Sequence, residues 1–553
     1  MIWVRNTVPS SLLVLYLAIS SSFSIMGSDA ANIVAEAEAF VNKFNTDYEA
    51  KHLAFENQFW GTKMALSGDF SAEKLSKTKT EMEDLLSDYS IVEKAEKFRS
   101  SLPDAVASDD LVKCLDIIIR TCKCYSTSPE NKKIREETSK KESELEMARN
   151  RLKLGYTLED TFTAMSSVGL RNTMRTAVDE KTRKAAYEGL RSIGPFVCEN
   201  GFVDIIKLRN KLAKSLGFAD YYDYKVTNAE AMSKDKLFEI LDGLEEGTRP
   251  IMENARKELE SRFGKEALEP WNQSFKMAGS VVKKMDPYFP FAKAPEQYIK
   301  SYAKLKIEYE GATMNLDLLD RQNKYSNGFC HWPKVAWKKP DGSWQPSETN
   351  FTSLGDPSAV GSGKTALTTL MHEAGHAAHF ANIKQPSPLF GQERAPFSAA
   401  LAEGQSMFLD SLVEDAAWRA KYALDVDGNP LPFEIIEEEI KAIHPFKVFQ
   451  LRAMLAVPYF EKALYELPDE EVTVERIQSL ADEIETKIQG GFSPRPLLSV
   501  PHIISDEASC YYHAYVVSHR SKSHAGWAAS VLMYFSPVST IDSLCRDRIS
   551  LPK

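Results

Sequence analysis

The pentapeptide His372-Glu373-Ala374-Gly375-His376 places two histidines four residues apart, and on a helix side chains at that spacing are close neighbours on one face. Ala366, Leu367, Leu370 and Met371 just before it give that helix an apolar side to bury, while Ala374, Gly375, Ala377 and Ala378 leave room beside the imidazoles. Both rings can therefore reach a single ion, with Glu373 flanking it. The chemistry such a layout supports is a metal-activated water whose proton the carboxylate removes, and zinc is the ion expected.

A third protein ligand has to come from elsewhere in the chain. A histidine-liganded layout needs Gly three and His six residues after the second His, and those positions hold His379 and Asn382. That layout is excluded. His379 itself lies almost two turns from His372 and suits a neighbour better than a ligand. A carboxylate from a following helix is the other layout, and Leu401-Ala-Glu403-Gly-Gln-Ser406-Met-Phe-Leu-Asp410 supplies Glu403. Its competitors are Glu393, in a loop-like Gly-Gln-Glu-Arg-Ala-Pro stretch, and Glu414, followed by another acid. Asp410, seven residues beyond Glu403 on the same side of that helix, is placed to orient a ligating histidine through its second nitrogen.

The rest of the chain reads as mainly helical. Ile33, Ala37, Phe40, Phe44 and Tyr48 recur at helical spacing. Ser128-Pro129-Glu130 opens a strongly charged helix continuing to Leu152, whose polar faces are expected to be solvated. Helical periodicity returns at 180–216 and 234–263. Between Tyr309 and Trp344 the texture changes to Gly, Pro, Asn and aromatics, and a small sheet is expected there, with Ala312–Leu316 and Val335–Trp337 as strands. The 553 residues exceed what one core supports. The expected division is a signal peptide at 1–28, a helical lobe at 29–230, a metal-site region at 231–518 and an atypical tail at 519–553.

Residues 1–28 carry Arg5, no acid, and the apolar run Leu12–Ile19 followed by small residues, the layout of a secretory signal peptide, with a mitochondrial presequence as the alternative. No later stretch approaches membrane-spanning length. Seven cysteines are an odd number for so long a chain and do not read as a disulfide framework. Cys122-Lys-Cys124 lacks the second close pair a zinc site would need. Asn272-Gln-Ser274 and Asn350-Phe-Thr352 are formal glycosylation acceptors. A net charge of −10 leaves no basic footprint for nucleic acid. Gly361-Ser-Gly-Lys-Thr365 imitates the end of a phosphate-binding loop, but Ser358 stands where such a loop needs Gly, so no nucleotide is expected.

Several segments together resemble the thimet oligopeptidase and oligoendopeptidase family of zinc peptidases, of the glutamate-liganded type, and more distantly angiotensin-converting enzyme. They are Leu208–Gly217, Leu316–Lys324, Asn350-Phe-Thr352, Leu370–His379 and Glu403-x-x-Ser406-x-x-x-Asp410. The resemblance covers roughly residues 140 to 518. It implies one zinc ion held by His372, His376 and Glu403, with Glu373 as general base. It also points to Pro501-His502 and Cys510-Tyr511-Tyr512-His513-Ala514-Tyr515, where a His and two Tyr would stabilise the oxyanion. Tyr512 and Tyr515 have the expected spacing; the register from His502 is one residue longer, so Tyr511 competes with Tyr512. The tail from His519 to Lys553 departs from the family pattern.

The implied fold is a mainly α, two-lobed peptidase with a small sheet beside a deep substrate channel that admits short oligopeptides. Peptide hydrolysis within oligopeptides is the expected activity. The alternatives are a peptidyl-dipeptidase, which needs a cation for the substrate's free carboxylate, and a zinc-binding helical protein without catalysis.

Overall fold

The computed structural model describes residues 10–102, 108–125, 128–325, 327–390, 398–504 and 508–522, with side chains from 31 to 518 of these. The signal-peptide side chains, Glu393 and the tail beyond 522 lie outside the described residues. Among the described residues the architecture is mainly helical with small sheets, and no helix is long and apolar enough to cross a membrane.

The first helix, Ser10–Lys63, buries Ala37, Val41, Phe44 and Tyr48, the stripe expected from the periodicity. The helix Pro129–Arg151 starts as expected, with the Ser128 hydroxyl accepting from the Asn131 N–H at 3.2 Å. Its polar faces are not all solvated, however. Arg135, Thr138, Ser139 and Glu142 are buried, because Glu142 receives the guanidinium of Arg209 at 2.8 Å and Arg135 donates to the carbonyls of Cys124 and Tyr125 at 3.1 Å.

Three main apolar cores form, and two of them draw on residues from both sides of position 230. One joins Leu145–Leu241 to Leu455–Val516. A second gathers residues from Val281 to Ile436. The third packs Ala37–Cys122, with Leu389 and Phe390 closing it. The segment expected to form an N-terminal lobe thus contributes to two cores.

The sheet of the middle region has three strands in the order Thr313–Leu319, Glu348–Gly355, Phe329–Lys334. The central strand pairs parallel to the first, with Leu316 opposite Phe351, and antiparallel to the last, with Cys330 opposite Phe351. Phe351 is fully buried and packs in the same core as Leu367, Leu370, Met371 and Ala374. The sheet therefore backs the helix that carries the pentapeptide. Trp337 falls in a separate two-stranded ribbon.

Both formal glycosylation acceptors are inaccessible. Asn272 is 0% exposed, its amide donating to Glu180 and to the Glu266 carbonyl; Asn350 is buried in the central strand, its amide 3.0 Å from His331 Nε2. A three-residue motif is local, whereas burial is set by tertiary packing.

Candidate metal centre

The site helix, Ser362–Asn382, begins at Gly361, whose φ of +80° suits glycine. Gly363 meets the chain Phe289 so closely that a Cβ there would lie 1.9 Å from the Phe289 carbonyl oxygen. The glycines of the phosphate-loop look-alike therefore serve close packing. Lys364 is held by Glu414 and Glu439 at 2.9 and 2.6 Å, so its ammonium is already committed.

Two tyrosine hydroxyls donate to carbonyls in the middle of this helix, Tyr302 to Met371 and Tyr309 to Ala374 at 3.2 Å. At Gly375 the helix crosses Ala399–Asp410: a Cβ there would stand 3.1 Å from Ser406 Cα. That close crossing brings Glu403 in. Its Oε2 lies 3.1 Å from His372 Nε2 and 3.4 Å from His376 Nε2. Among the described residues, one group of three or more His, Cys, Asp or Glu could hold a metal ion, and it is His372, Glu373 and His376.

Supporting contacts surround the three donors. Asp410 Oδ2 is 2.9 Å from His372 Nδ1. Ser406 donates to Glu403 Oε2 and Tyr511 to Glu403 Oε1, both at 3.0 Å. Glu403 is buried, which raises a carboxyl's pKa, yet His376 and His372 hold it well below the ordinary range. Burial likewise lowers the basicity of His372, but Asp410 and Glu403 outweigh it and raise it well above the ordinary value. A buried carboxylate set between two imidazole Nε2 atoms, with a second carboxylate orienting one of the rings through Nδ1, makes a donor set suited to a divalent cation. Burial pushes the Glu373 carboxyl up to about 8.

The other candidates are elsewhere. The Glu414 carboxylate is taken by Lys364 and Arg419. His379 stacks on Phe380 and is not in the metal-binding group. Cys122 is buried and Cys124 half-buried, and neither is in a disulfide among the described residues. No metal-holding group includes them among the described residues.

His502, Tyr511 and Tyr515 line the same cavity as His372, Glu373, His376 and Glu403. Tyr515 Oη is 3.3 Å from His502 Nε2, and burial, with Arg495 nearby, lowers His502 to about 3, so the ring is neutral at pH 7. Tyr512 does not line that cavity; its ring packs against those of His502 and Tyr515, with centroids 5.0 Å from each. It belongs to a buried core, and its hydroxyl accepts from Arg495 at 3.1 Å. The cause is Cys510, whose φ of +58° lies in the left-handed region; its N–H donates to the buried Glu461 at 2.8 Å, and the chain rotates there so that Tyr511 faces the cavity.

Sequence reasoning missed the contacts behind these residues. Arg209 Nη2 donates to the Ile504 carbonyl at 2.8 Å and so anchors the segment bearing His502. Gly328 abuts Glu373: a Cβ there would come within 3.2 Å of Oε1 and 2.3 Å of Thr369 Cγ2. Lys63 and Glu56 of the first helix reach the cavity wall, where Glu56 Oε2 sits 2.5 Å from His331 Nδ1. No local pattern marks any of them.

The profile of peptidase family M3 matches residues 173–519. The chain belongs to peptidase family M3. A second profile, described as angiotensin-converting enzyme, matches residues 31–273. Oligopeptidase A of Haemophilus influenzae is 24% identical over 363 residues, covering 57% of this chain and 52% of that protein. Oligopeptidase A of Escherichia coli is 23% identical over 288 residues, covering 43% and 41%. The chain thus spans about half or less of the length of these curated relatives.

Among solved structures, PZ peptidase A with an inhibitor superposes with a TM-score of 0.54 at 15% identity, over 90% of this chain and 92% of that one. An M32 carboxypeptidase from Deinococcus radiodurans gives 0.55 at 12% identity, over 91% and 86%. At such identities the likeness is one of fold. The M3 chain shares a mainly helical peptidase architecture with both.

Proposed function

We propose that this M3 chain is a zinc-dependent oligopeptidase that hydrolyses peptide bonds within short peptides. The observation carrying the proposal is the position of Glu403 Oε2, 3.1 and 3.4 Å from the Nε2 atoms of His372 and His376, with Glu373 on the same helix between them. His372, His376 and Glu403 would hold the ion. Zinc held there would supply Lewis acidity, which lowers the pKa of a water to about 7 and polarises a carbonyl.

Glu373 is the proton carrier. Buried against the cavity, it takes the proton of the attacking water and returns it to the leaving amine. Tyr515 and the neutral His502 supply hydrogen bonds to the oxygen on which charge develops. Tyr511, whose hydroxyl donates to Glu403 Oε1, orients the carboxylate ligand.

The test is incubation of the protein with a peptide library, with and without a chelator and with zinc restored, reading cleavage positions by mass spectrometry. Cleavage abolished by chelator, regained with zinc, and lost in Glu373→Gln at retained zinc stoichiometry is the expected result. Peptidase activity surviving Glu373→Gln overturns the mechanism. Stoichiometric zinc with no cleavage of any peptide favours the inactive zinc-binding alternative. Loss of cleavage on C-terminal amidation favours the peptidyl-dipeptidase. Secretion remains part of the proposal and rests on residues 1–28; amino-terminal sequencing of the secreted or organellar protein decides between the two addresses.

A further inference from the structure

The cavity at the metal centre has a volume of about 430 Å³ and extends well beyond the centre, between the helices Asp109–Tyr125 and Tyr221–Glu230. Apart from Glu373 and Glu403, its wall carries Lys63, Lys79, Arg120 and Lys225 against Glu56 and Glu83. Glu56 is engaged by His331. Lys63 is paired with Glu146, so the part of the wall away from the metal centre carries Arg120, Lys79 and Lys225 with Glu83.

Arg120 is the distinctive member. It is half-buried, and among the described residues its guanidinium makes one hydrogen bond, a long one at 3.5 Å to the Asn228 carbonyl across the gap between the two helices. No carboxylate of the described residues pairs with it, whereas nearby Arg99 and Lys123 are paired with Asp116 and Glu96. A guanidinium has five N–H donors in a planar fork that matches a carboxylate. Arg120 sits on a cavity wall that Lys225 also lines, with most of those donors unmatched among the described residues, a geometry suited to receiving a carboxylate.

We propose that Arg120, assisted by Lys79 and Lys225, forms an anionic-residue subsite that selects peptides presenting a carboxylate at this end of the cavity. The inference rests on the peptide-substrate reading above and names its substrate class: peptides bearing an Asp or Glu side chain or a free C-terminus at the reach of Arg120. Charge-assisted pairing of this kind is among the stronger polar interactions, and in a cavity it is screened less than on an open surface.

The experiment measures binding, so that it does not depend on turnover. Fluorescent peptides are titrated into full-length zinc-loaded Glu373→Gln protein and followed by anisotropy. Four matched sets carry Glu or Gln along the sequence, each with a free or amidated C-terminus. The expected result is roughly ten-fold or tighter binding of one carboxylate-bearing set, a preference that shrinks as salt is raised. Arg120→Gln should abolish the preference while leaving affinity for the neutral amidated peptide unchanged, and Arg120→Lys should keep part of it. A Glu-over-Gln difference identifies a side-chain carboxylate, and a free-over-amidated difference a C-terminus. Equal binding of all four sets overturns the proposal, as does a preference that Arg120→Gln leaves intact. If no peptide is cleaved by the unmodified protein yet the carboxylate preference appears and depends on Arg120, the peptidase reading falls and the subsite stands.

Discussion

Asp410 Oδ2 lies 2.9 Å from Nδ1 of His372, which fixes the ring so that Nε2 faces Glu403 and the metal position. The prediction is that Asp410→Ala weakens zinc binding by about 10–100-fold, because the imidazole loses both its orientation and the charge that raises its basicity. Competition against a chelator of known affinity measures this, with circular dichroism unchanged. Undiminished zinc affinity would mean that the Asp410 contact is only structural.

The three tyrosines of the 511–515 segment should separate by function. Tyr515→Phe should lower kcat by about 100-fold or more with little change in KM, the signature of a donor used as charge develops. Tyr511→Phe removes the bond to Glu403 Oε1 and should act through zinc affinity. Tyr512→Phe removes only the bond from Arg495; it should cost about 1 kcal/mol of stability and leave kcat alone. A large kcat loss in Tyr512→Phe would reverse the assignment of the cavity-facing side chains.

These assignments mark how far local sequence reaches. The His372–His376 pair and the Glu403–Asp410 pair could be read because each is a spacing within one helix; the crossing at Gly375 that brings Glu403 to the histidines is set by packing between two helices. Tyr511 and Tyr512 could not be separated by spacing, because the decision is made by a left-handed turn at Cys510 whose N–H partner, Glu461, is 49 positions away. The same applies to the charged helix Pro129–Arg151, whose buried Glu142 finds Arg209 only 67 residues later. Charge alone suggested solvent; a partner across the fold made burial affordable.

The start of the site helix should contribute to acid sensitivity. Glu414 is partly buried, which raises its pKa, but Lys364 and Arg419 outweigh this and hold it at about 2. Its pKa is lower folded than unfolded, so its contribution to stability is present above about pH 4.5. That contribution is lost as pH falls toward 2. Glu414→Gln should lower the unfolding temperature slightly at pH 7, since the carboxylate is two-fifths exposed, and should flatten its decline between pH 4.5 and 2. Parallel curves for the two proteins across that window would count against the ion pairs as its source.

Arg209 should matter both for stability and for the oxyanion side of the site. It is 1% exposed and donates to Glu142 at 2.8 Å, to Tyr465 Oη at 2.8 Å and to the carbonyl of Ile504, two residues beyond His502. Arg209→Met takes the guanidinium away from the buried Glu142, and breaking a buried pair from one side costs about 3–5 kcal/mol. Arg209→Lys keeps a charge but cannot span three acceptors in different directions. It should therefore retain the fold at a smaller cost and still lower kcat, because the His502 segment is no longer held in register with Tyr515. Denaturant unfolding and steady-state kinetics of the Lys variant separate the two effects: reduced stability with unchanged kcat would leave Arg209 as a purely structural residue.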